Sequence, residues 1–219
     1  MANYYLEIQH VVNSALAELA AEHKAGKLAN APVANNHFLV HWVTKALKAQ
    51  RFDRCVGDDL TQWQKAGRSK GNQSQLLPTF QRISAYYAHF FAEQDNQPIT
   101  DQQIEAFLDE MEQAGWEVST SEPLVNAGKV QIFTDGQNSL ALCSVQCEAC
   151  FDGEVLAKPM NWFVRGHHAA FIEKAFAAGF MVHKQTDYKS NVKYHGEYLI
   201  FPANHGTQLA EIPLSFRVE

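Results

Sequence analysis

The sequence predicts an α+β protein, with an all-helical domain at residues 1–95 and an α+β domain at residues 96–219. Apolar residues recur at helical spacing through the first domain. In the second, helical stretches alternate with short segments in which every second residue is apolar, a pattern typical of strands. A pattern in the second domain also recurs after 64 residues. Together these observations predict a helical domain followed by a duplicated helix–strand–strand–strand unit that forms a largely antiparallel sheet.

Four helices are predicted in the first domain. The apolar stripe of the first includes Ile8, Val11, Val12, Ala15, Leu16 and Leu19. Each later helix has residues typical of a helix start. Asn35 or Asn36 is the predicted N-cap of the second helix. Asp58 and Asp59 suit the first turn of the third helix, and Pro78 suits the first turn of the fourth. Residues 68–74 form a polar break before the fourth helix, and residues 93–98 are the predicted linker.

The second domain contains the most informative pattern. Residues 107–118 and 171–182 each contain an amphipathic helix that ends in Ala-Gly, then an aromatic residue, one further residue and Val. Glycine just past a helix fits the left-handed C-cap position, and the aromatic residue and Val begin a strand. Further matches follow, so we predict a duplication at about 101–145 and 165–214. An additional strand at 161–164 leads into the second helix.

Three of the four cysteines, Cys143, Cys147 and Cys150, lie within eight residues. In an extended chain Cys143 and Cys147 share one face with Ala141 and Val145. This alternation predicts that the segment continues the third strand of the first repeat, with cysteine acting as a small apolar residue.

The same cysteines have an alternative interpretation as zinc ligands. Cys147 and Cys150 have the C-x2-C spacing of a ligand pair, and Cys143, His167 and His168 could complete a tetrahedral set. A redox pair is disfavoured, because the glutamate between Cys147 and Cys150 opposes thiolate formation. We therefore predict no cofactor, with zinc as the alternative.

Arg165, His167 and His168 are the candidate ligand-binding residues. They lie at the predicted start of the second repeat's helix, where unpaired backbone N–H groups favour an anion. With the guanidinium, this helix start could bind a small carboxylate or phosphate. A solvated loop with a helix cap is the alternative.

The net charge of −6 is distributed unevenly. Residues 96–125 contain seven acidic residues and no Lys or Arg, whereas residues 45–70 contain seven basic residues against three acidic ones. This basic window fits a solvated helix face, so nucleic acid is not an expected partner. No apolar run approaches the roughly 18 residues that span a membrane, and the N-terminus lacks the features of a signal peptide, so we expect a cytoplasmic protein.

The segment NHFLVHW, from Asn36 to Trp42, followed by Ala46-Leu-Lys48 and Arg51-Phe52, resembles the opening of an uncharacterised bacterial protein family of unknown function. The resemblance implies a bacterial cytoplasmic protein and supplies no activity, cofactor or site residue.

Motifs for phosphate loops, dinucleotide binding, zinc peptidases and serine hydrolases are absent from the sequence. We therefore predict a non-enzymatic binding, regulatory or protein-interaction module, with a protein partner or a second copy as its ligand. The alternative is a small-molecule or zinc-dependent enzyme with its site near Arg165, His167 and His168 and the pair Cys147 and Cys150.

Overall fold

The computed structural model describes residues 3–91, 97–125 and 128–218. It is α+β, as predicted, and divides into two compact units. The first unit is Met1–Ala92 together with Thr207–Leu209 and Phe216–Glu219, and the second is Glu93–Gly206 together with Ala210–Ser215. The predicted boundary between residues 95 and 96 lies outside the described residues, as does most of the predicted linker.

Helices α1 (Tyr4–Lys24), α2 (Pro32–Lys48), α3 (Gly57–Lys70) and α4 (Leu76–Phe91) form the first unit, with 3-10 turns at Arg54–Val56 and Gly71–Ser74. The apolar stripes are buried, including Ile8, Val11, Val12, Ala15 and Leu19 in α1, Leu39, Trp42, Val43 and Ala46 in α2, and Phe80, Ile83, Tyr86 and Tyr87 in α4. Packing of such stripes is the main source of helix stability in a domain of this kind. No helix within the described ranges is both long and apolar enough to cross a membrane.

The predicted N-cap of α2 is wrong. The helix begins at Pro32, which suits a first helical position, and Asn35 and Asn36 are buried inside it. Asn36 Oδ1 accepts a hydrogen bond from the Leu76 backbone N–H at 3.1 Å, and its Nδ2 donates to the Gly71 carbonyl at 2.8 Å. Asn36 therefore makes a tertiary contact with the turn between α3 and α4, which the local pattern does not reveal.

The second unit combines helices with a five-stranded sheet and a small hairpin. In chain order its elements are α5 (Asp101–Gln113), β1 (Glu117–Ser119), β2 (Ser139–Leu142), α6 (Ser144–Ala149), β3 (Phe151–Asp152), β4 (Val155–Leu156), β5 (Met160–Arg165), α7 (His168–Ala177), β6 (His183–Thr186), β7 (Gly196–Ile200) and a 3-10 turn at Pro202–Asn204. The sheet has the order β1-β2-β5-β7-β6, and β3 pairs with β4. β1 and β2 are parallel, while the other pairs are antiparallel. Strand β5 confirms the additional strand predicted at 161–164.

The two faces of the sheet carry separate apolar clusters. On one face Leu140, Trp162 and Tyr198 pack with residues of α5 and α7, and the rings of Phe107 and Trp162 stack with centroids 5.1 Å apart. On the other face Ala141 and Phe163 pack with Leu124, Cys143 and Val192. Alternation along β2 and β5 produces both clusters, because neighbouring side chains of a strand point to opposite faces.

The helix–glycine junction recurs in the structure. Gly115 and Gly179 follow α5 and α7 with φ of 83° and 85°. The aromatic residue after each glycine donates its N–H to the carbonyl five residues earlier, at 3.0 Å after α5 and at 2.8 Å after α7. Both helices therefore end in the same Schellman motif, as the glycine pattern predicts.

The structure does not confirm the duplicated sheet. β1 pairs parallel with β2, whereas β6 pairs antiparallel with β7. The pair Ile132-Phe133, which aligns in sequence with Ile200-Phe201, lies outside the strands, whereas Ile200 is the last residue of β7. The resemblance between the two segments is thus structural at the helix ends and does not extend to the strand pairing.

The predicted strand through the cysteines is also wrong. β2 ends at Leu142, and Ser144–Ala149 forms the short helix α6. The Asn161 backbone N–H donates to Gln146 Oε1 at 2.9 Å, and Gln146 Nε2 donates to Asn161 Oδ1 at 2.8 Å. The Gln146 amide occupies a backbone donor of β5 that a longer β2 would need, so the chain turns into α6 instead.

Candidate functional site

Polar side chains collect at one end of the five-stranded sheet, where β2 and β7 begin and β5 ends. Ser139 lies opposite Arg165 in the pairing of β2 with β5. The residue before Arg165 lies opposite Gly196, the first residue of β7. Because α7 begins shortly after β5, His167 and His168 follow at the same end of the sheet.

Ser139 and His195 form a buried hydrogen bond at this end. The residues are 2% and 1% exposed, and Ser139 Oγ lies 2.7 Å from His195 Nε2. His195 Nδ1 lies 2.8 Å from the Lys193 carbonyl oxygen. Since a carbonyl only accepts, Nδ1 carries the proton of the neutral ring, and Nε2 accepts the hydrogen bond from the serine hydroxyl.

The electrostatic environment keeps His195 neutral near pH 7. Burial lowers the pKa of His195, and the positive charge of Arg165 acts in the same direction, which together outweigh the opposing hydrogen bond to Lys193. A neutral imidazole with a free Nε2 lone pair is a base, and here that lone pair faces a hydroxyl group.

A cavity of about 450 Å³ lies beside Ser139. The polar residues in its lining are Glu117, Ser119, Glu122, Gln131, Thr134 and Ser139. Arg165 Nη1 donates to Thr134 Oγ1 at 2.5 Å, so the guanidinium is bonded to the wall of the cavity. Glu117 accepts from the backbone N–H groups of Asp135 and Gly136, which ties its carboxylate to the loop.

The three predicted ligand residues do not converge on one site. Arg165 follows Phe163 on the cavity side of β5, whereas His168 Nδ1 lies 2.7 Å from the Tyr198 hydroxyl, in the cluster packed against α5 and α7. His167 caps α7, because its Nδ1 accepts from the Ala170 N–H at 3.0 Å. An anion bound at this helix start would compete with the His167 imidazole for the Ala170 N–H.

His168 has one imidazole nitrogen without a hydrogen bond. Its Nε2 is buried and has no partner among the described residues. Burial lowers the pKa of His168, and the Lys184 ammonium adds to this effect, whereas Asp187 opposes it. The ring is therefore neutral near pH 7.

The predicted zinc ligands have separate environments. Cys143 is buried, and its Sγ accepts from the N–H groups of Leu124 and Val125 at 3.2 and 3.3 Å. Burial raises the pKa of Cys143, but hydrogen bonds from several backbone N–H groups outweigh burial, so the pKa is lowered overall. Burial raises the pKa of Cys147 to about 11. Cys150 is buried, with its Sγ 3.5 Å from the Pro159 carbonyl. In the described part of the chain, no three His, Cys, Asp or Glu side chains are grouped so that they could hold a metal ion.

Cys147 instead lines a groove of about 610 Å³ between α5, β1 and α6, which we call the acidic groove. Its rim carries the carboxylates of Asp101, Glu105, Asp109, Glu112 and Glu148. Its apolar lining is formed by Ile104, Leu108, Val118, Leu142, Cys147 and Met160. None of the lining residues is Lys, Arg or His.

Sequence reasoning detected the acidity of this segment but did not identify the groove. Four of its carboxylates recur on α5 at intervals of four, four and three residues, which places them on one helix face. This spacing is the feature of the sequence from which the acidic border of the groove could have been predicted. The Ser139–His195 pair offered no such signal, because the two residues are 56 positions apart.

A family model described as "Protein of unknown function (DUF2913)" matches residues 3–213. The chain therefore belongs to this family, in agreement with the resemblance noted from residues 36–52. Comparison with curated proteins and with solved structures finds no significant match.

Proposed function

We propose that this member of the family is a binding module whose acidic groove takes a basic, amphipathic segment of another protein. The observation that carries the proposal is the composition of the groove, in which five carboxylates border an apolar floor and no basic side chain neutralises them. A groove in which a charged border surrounds partly exposed apolar side chains, here Leu108, Val118 and Cys147, is typical of a surface that binds a partner.

The arrangement of the groove defines the chemistry of the segment. The acidic residues of α5 run from Asp101 to Glu112, roughly 16 Å along the helix at 1.5 Å per residue. That length corresponds to about three turns of a bound helix. The segment should therefore present an apolar stripe to Leu108 and Val118, with Lys or Arg on both sides of it.

The opposite sign of the neighbouring charges favours such a partner in two ways. Complementary charges accelerate the encounter and disfavour acidic competitors. The partly exposed side chains of the floor, Leu108, Val118 and Cys147, then supply affinity as they are removed from water. A basic segment without apolar residues would gain the faster encounter but not the affinity supplied by the floor.

A second copy of the chain is the competing occupant, because residues 45–70 are basic. Four apolar residues of that window are buried in the first unit, namely Ala46, Val56, Leu60 and Trp63. The partly exposed apolar side chains of the window, Leu47 and Phe52, line a concave groove of their own, so the window does not project an apolar stripe that could enter the floor. We accordingly propose a different protein as the partner.

The test uses a synthetic peptide with Leu on one helical face and Lys on its borders. Titration calorimetry should show that the double variant Glu105→Gln/Asp109→Asn binds this peptide at least fivefold more weakly than the unaltered protein. Glu110→Gln is the matched control, because Glu110 lies on the same helix outside the groove and pairs with Lys174 at 3.1 Å. Its affinity should stay within twofold.

Two further arms separate groove binding from general attraction to an acidic surface. Leu108→Ala should weaken the same peptide, whereas a peptide of equal charge with Leu and Lys in scrambled order should bind weakly to every variant. Equal losses for Glu110→Gln and for the groove variant would contradict the proposal. A change in sedimentation caused by the groove variant would identify a second copy as the occupant.

The bacterial cytoplasm is part of the same proposal. Cys55, Cys143, Cys147 and Cys150 are all free thiols, which fits a reducing compartment. A regulatory role would follow if the partner's basic segment serves another purpose when unbound, such as contact with an anionic surface.

A further inference from the structure

Ser139, His195 and the Lys193 carbonyl form a series of hydrogen bonds in which a hydroxyl group, a base and an orienting group follow one another. The distances are 2.7 Å from Ser139 Oγ to His195 Nε2 and 2.8 Å from His195 Nδ1 to the Lys193 oxygen. This is the order of groups found where an imidazole activates a serine. We propose that Ser139 is a nucleophile for acyl transfer, that His195 is its general base, and that the substrate is a small uncharged ester bound in the adjoining cavity.

The loop that presents His195 is held in place by its own hydrogen bonds. Ser190 Oγ lies 2.8 Å from the Val192 carbonyl and 2.9 Å from the His195 carbonyl. The Lys193 N–H donates to the Val130 carbonyl at 2.8 Å, which ties this loop to the segment beside the cavity. The base is therefore oriented before a substrate binds, as general-base catalysis requires.

The cavity gives a route by which an acyl group could reach Ser139. The serine is 2% exposed and lines the cavity of about 450 Å³, so a substrate would approach through that space. His195 is 1% exposed, so its imidazole is reached through Ser139 Oγ and the space beside it. A cavity of this volume accommodates a small ester.

The charges around the cavity restrict the substrate further. Glu117 and Glu122 belong to the lining and disfavour an anionic substrate. Arg165 forms one hydrogen bond among the described residues, to Thr134 in the cavity wall, and its guanidinium has further N–H donors. Such donors can stabilise the negative charge that develops on a carbonyl oxygen during attack.

The reaction proceeds in two balanced steps. In the first, Ser139 Oγ bonds to the ester carbonyl carbon as His195 Nε2 takes the hydroxyl proton. The bond from that carbon to the alkoxy oxygen then breaks, and the imidazolium proton passes to this oxygen, which leaves as an alcohol. In the second step, water attacks the acyl carbon as His195 takes one of its protons, the bond to Oγ breaks, Oγ regains the proton, and a carboxylic acid leaves.

The test is covalent labelling with a fluorophosphonate, together with hydrolysis of p-nitrophenyl acetate. Mass spectrometry of the digested protein should find the adduct on Ser139, and both rates should fall at least tenfold in Ser139→Ala and in His195→Gln. Ser69→Ala is the matched control, because Ser69 is an exposed serine of α3 in the first unit, where its hydroxyl donates to the Lys65 carbonyl at 2.8 Å. Its rates should stay within twofold.

Circular dichroism and thermal unfolding of each variant show whether it is folded. If His195→Gln does not fold, Ser139→Ala still tests the proposal, because it removes only one oxygen atom. Absence of an adduct on Ser139, or equal rates in Ser139→Ala, would overturn the proposal and leave the pair as a buried structural contact. The groove variant Glu105→Gln/Asp109→Asn should label normally, so the two proposals fail independently.

Discussion

Burial keeps His168 and His195 neutral near pH 7, and this couples the stability of the second unit to pH. Both pKa values lie below that of a histidine in an unfolded chain, because desolvation penalises the charged ring. The unfolded state therefore binds more protons in mildly acidic solution than the native state does.

We expect the free energy of unfolding of the second unit to fall as the pH is lowered from 8 to about 5.5. The contribution of the neutral histidines is complete above the unfolded pKa of about 6.5 and is lost as the pH falls towards the folded values. Urea unfolding at a series of pH values measures this dependence. The variant His195→Gln should show a shallower slope, and a free energy that rose on acidification would contradict the prediction.

At the residue scale, side chains with local roles were easier to predict than side chains with distant partners. The two C-cap glycines were identified from their immediate neighbours, since a left-handed cap is a property of a few adjacent residues. Asn36 was assigned a capping role from the same reasoning, yet it bonds to Gly71 and Leu76. Ser139 and His195 could not be paired at all, because no periodicity relates them.

At the element scale, the ends of α5 and α7 followed the sequence and strand pairing did not. α5 begins with a capping box in which Thr100 and Gln103 exchange hydrogen bonds, and α5 and α7 end in equivalent motifs. Strand pairing depends on which segments meet, and the two predicted copies pair their strands in different directions. The cysteine segment fits a strand by alternation, but it forms the helix α6, from which Gln146 bonds to Asn161 of β5.

Gly67 tests the packing of α3 against α2. A Cβ atom at this position would lie 2.3 Å from Val40 Cγ2, so Gly67→Ala should destabilise the first unit by about 1–3 kcal/mol despite the higher helix propensity of alanine. Urea unfolding followed by circular dichroism measures the change.

The same helix supplies the control for this prediction. Gly57 has helical backbone angles, and nothing lies within 4 Å of a Cβ built there, so Gly57→Ala should be neutral or stabilising by about 0.5 kcal/mol. Val40→Ala should recover part of the loss in Gly67→Ala, since it removes the two nearest atoms. Equal effects of the two glycine variants would show that the contact with Val40 is unimportant.

At the scale of the whole molecule, the end of the chain returns to the first unit. Phe216 contacts Tyr86 and His89 of α4, with ring centroids 5.3 Å and 6.3 Å apart. Residues Phe216–Glu219 accordingly group with the N-terminal helices, although they follow the second unit in sequence.

We expect Phe216→Ala to destabilise the first unit by about 1–2 kcal/mol, because it removes aromatic contacts with a buried helix face. Hydrogen exchange of the α4 amides reports this loss directly, and exchange should become faster there. Val218→Ala is the control in the same tail, since Val218 is 44% exposed and its truncation should change stability by less than about 0.5 kcal/mol. Unchanged α4 exchange in Phe216→Ala would show that the tail contributes no stability to this unit.

The sequence by itself determined the α+β class, the apolar stripes of the first unit, the glycine-terminated helices and the concentration of acidic residues in one segment. These properties depend on composition and on the spacing of neighbours, which a chain carries before it folds. Only the tertiary structure decided the strand order, the helix at the cysteines, the apolar floor beneath the acidic rim and the meeting of Ser139 with His195. Each of these joins residues that are distant in sequence, and such contacts arise when packing and hydrogen bonding select one pairing among many.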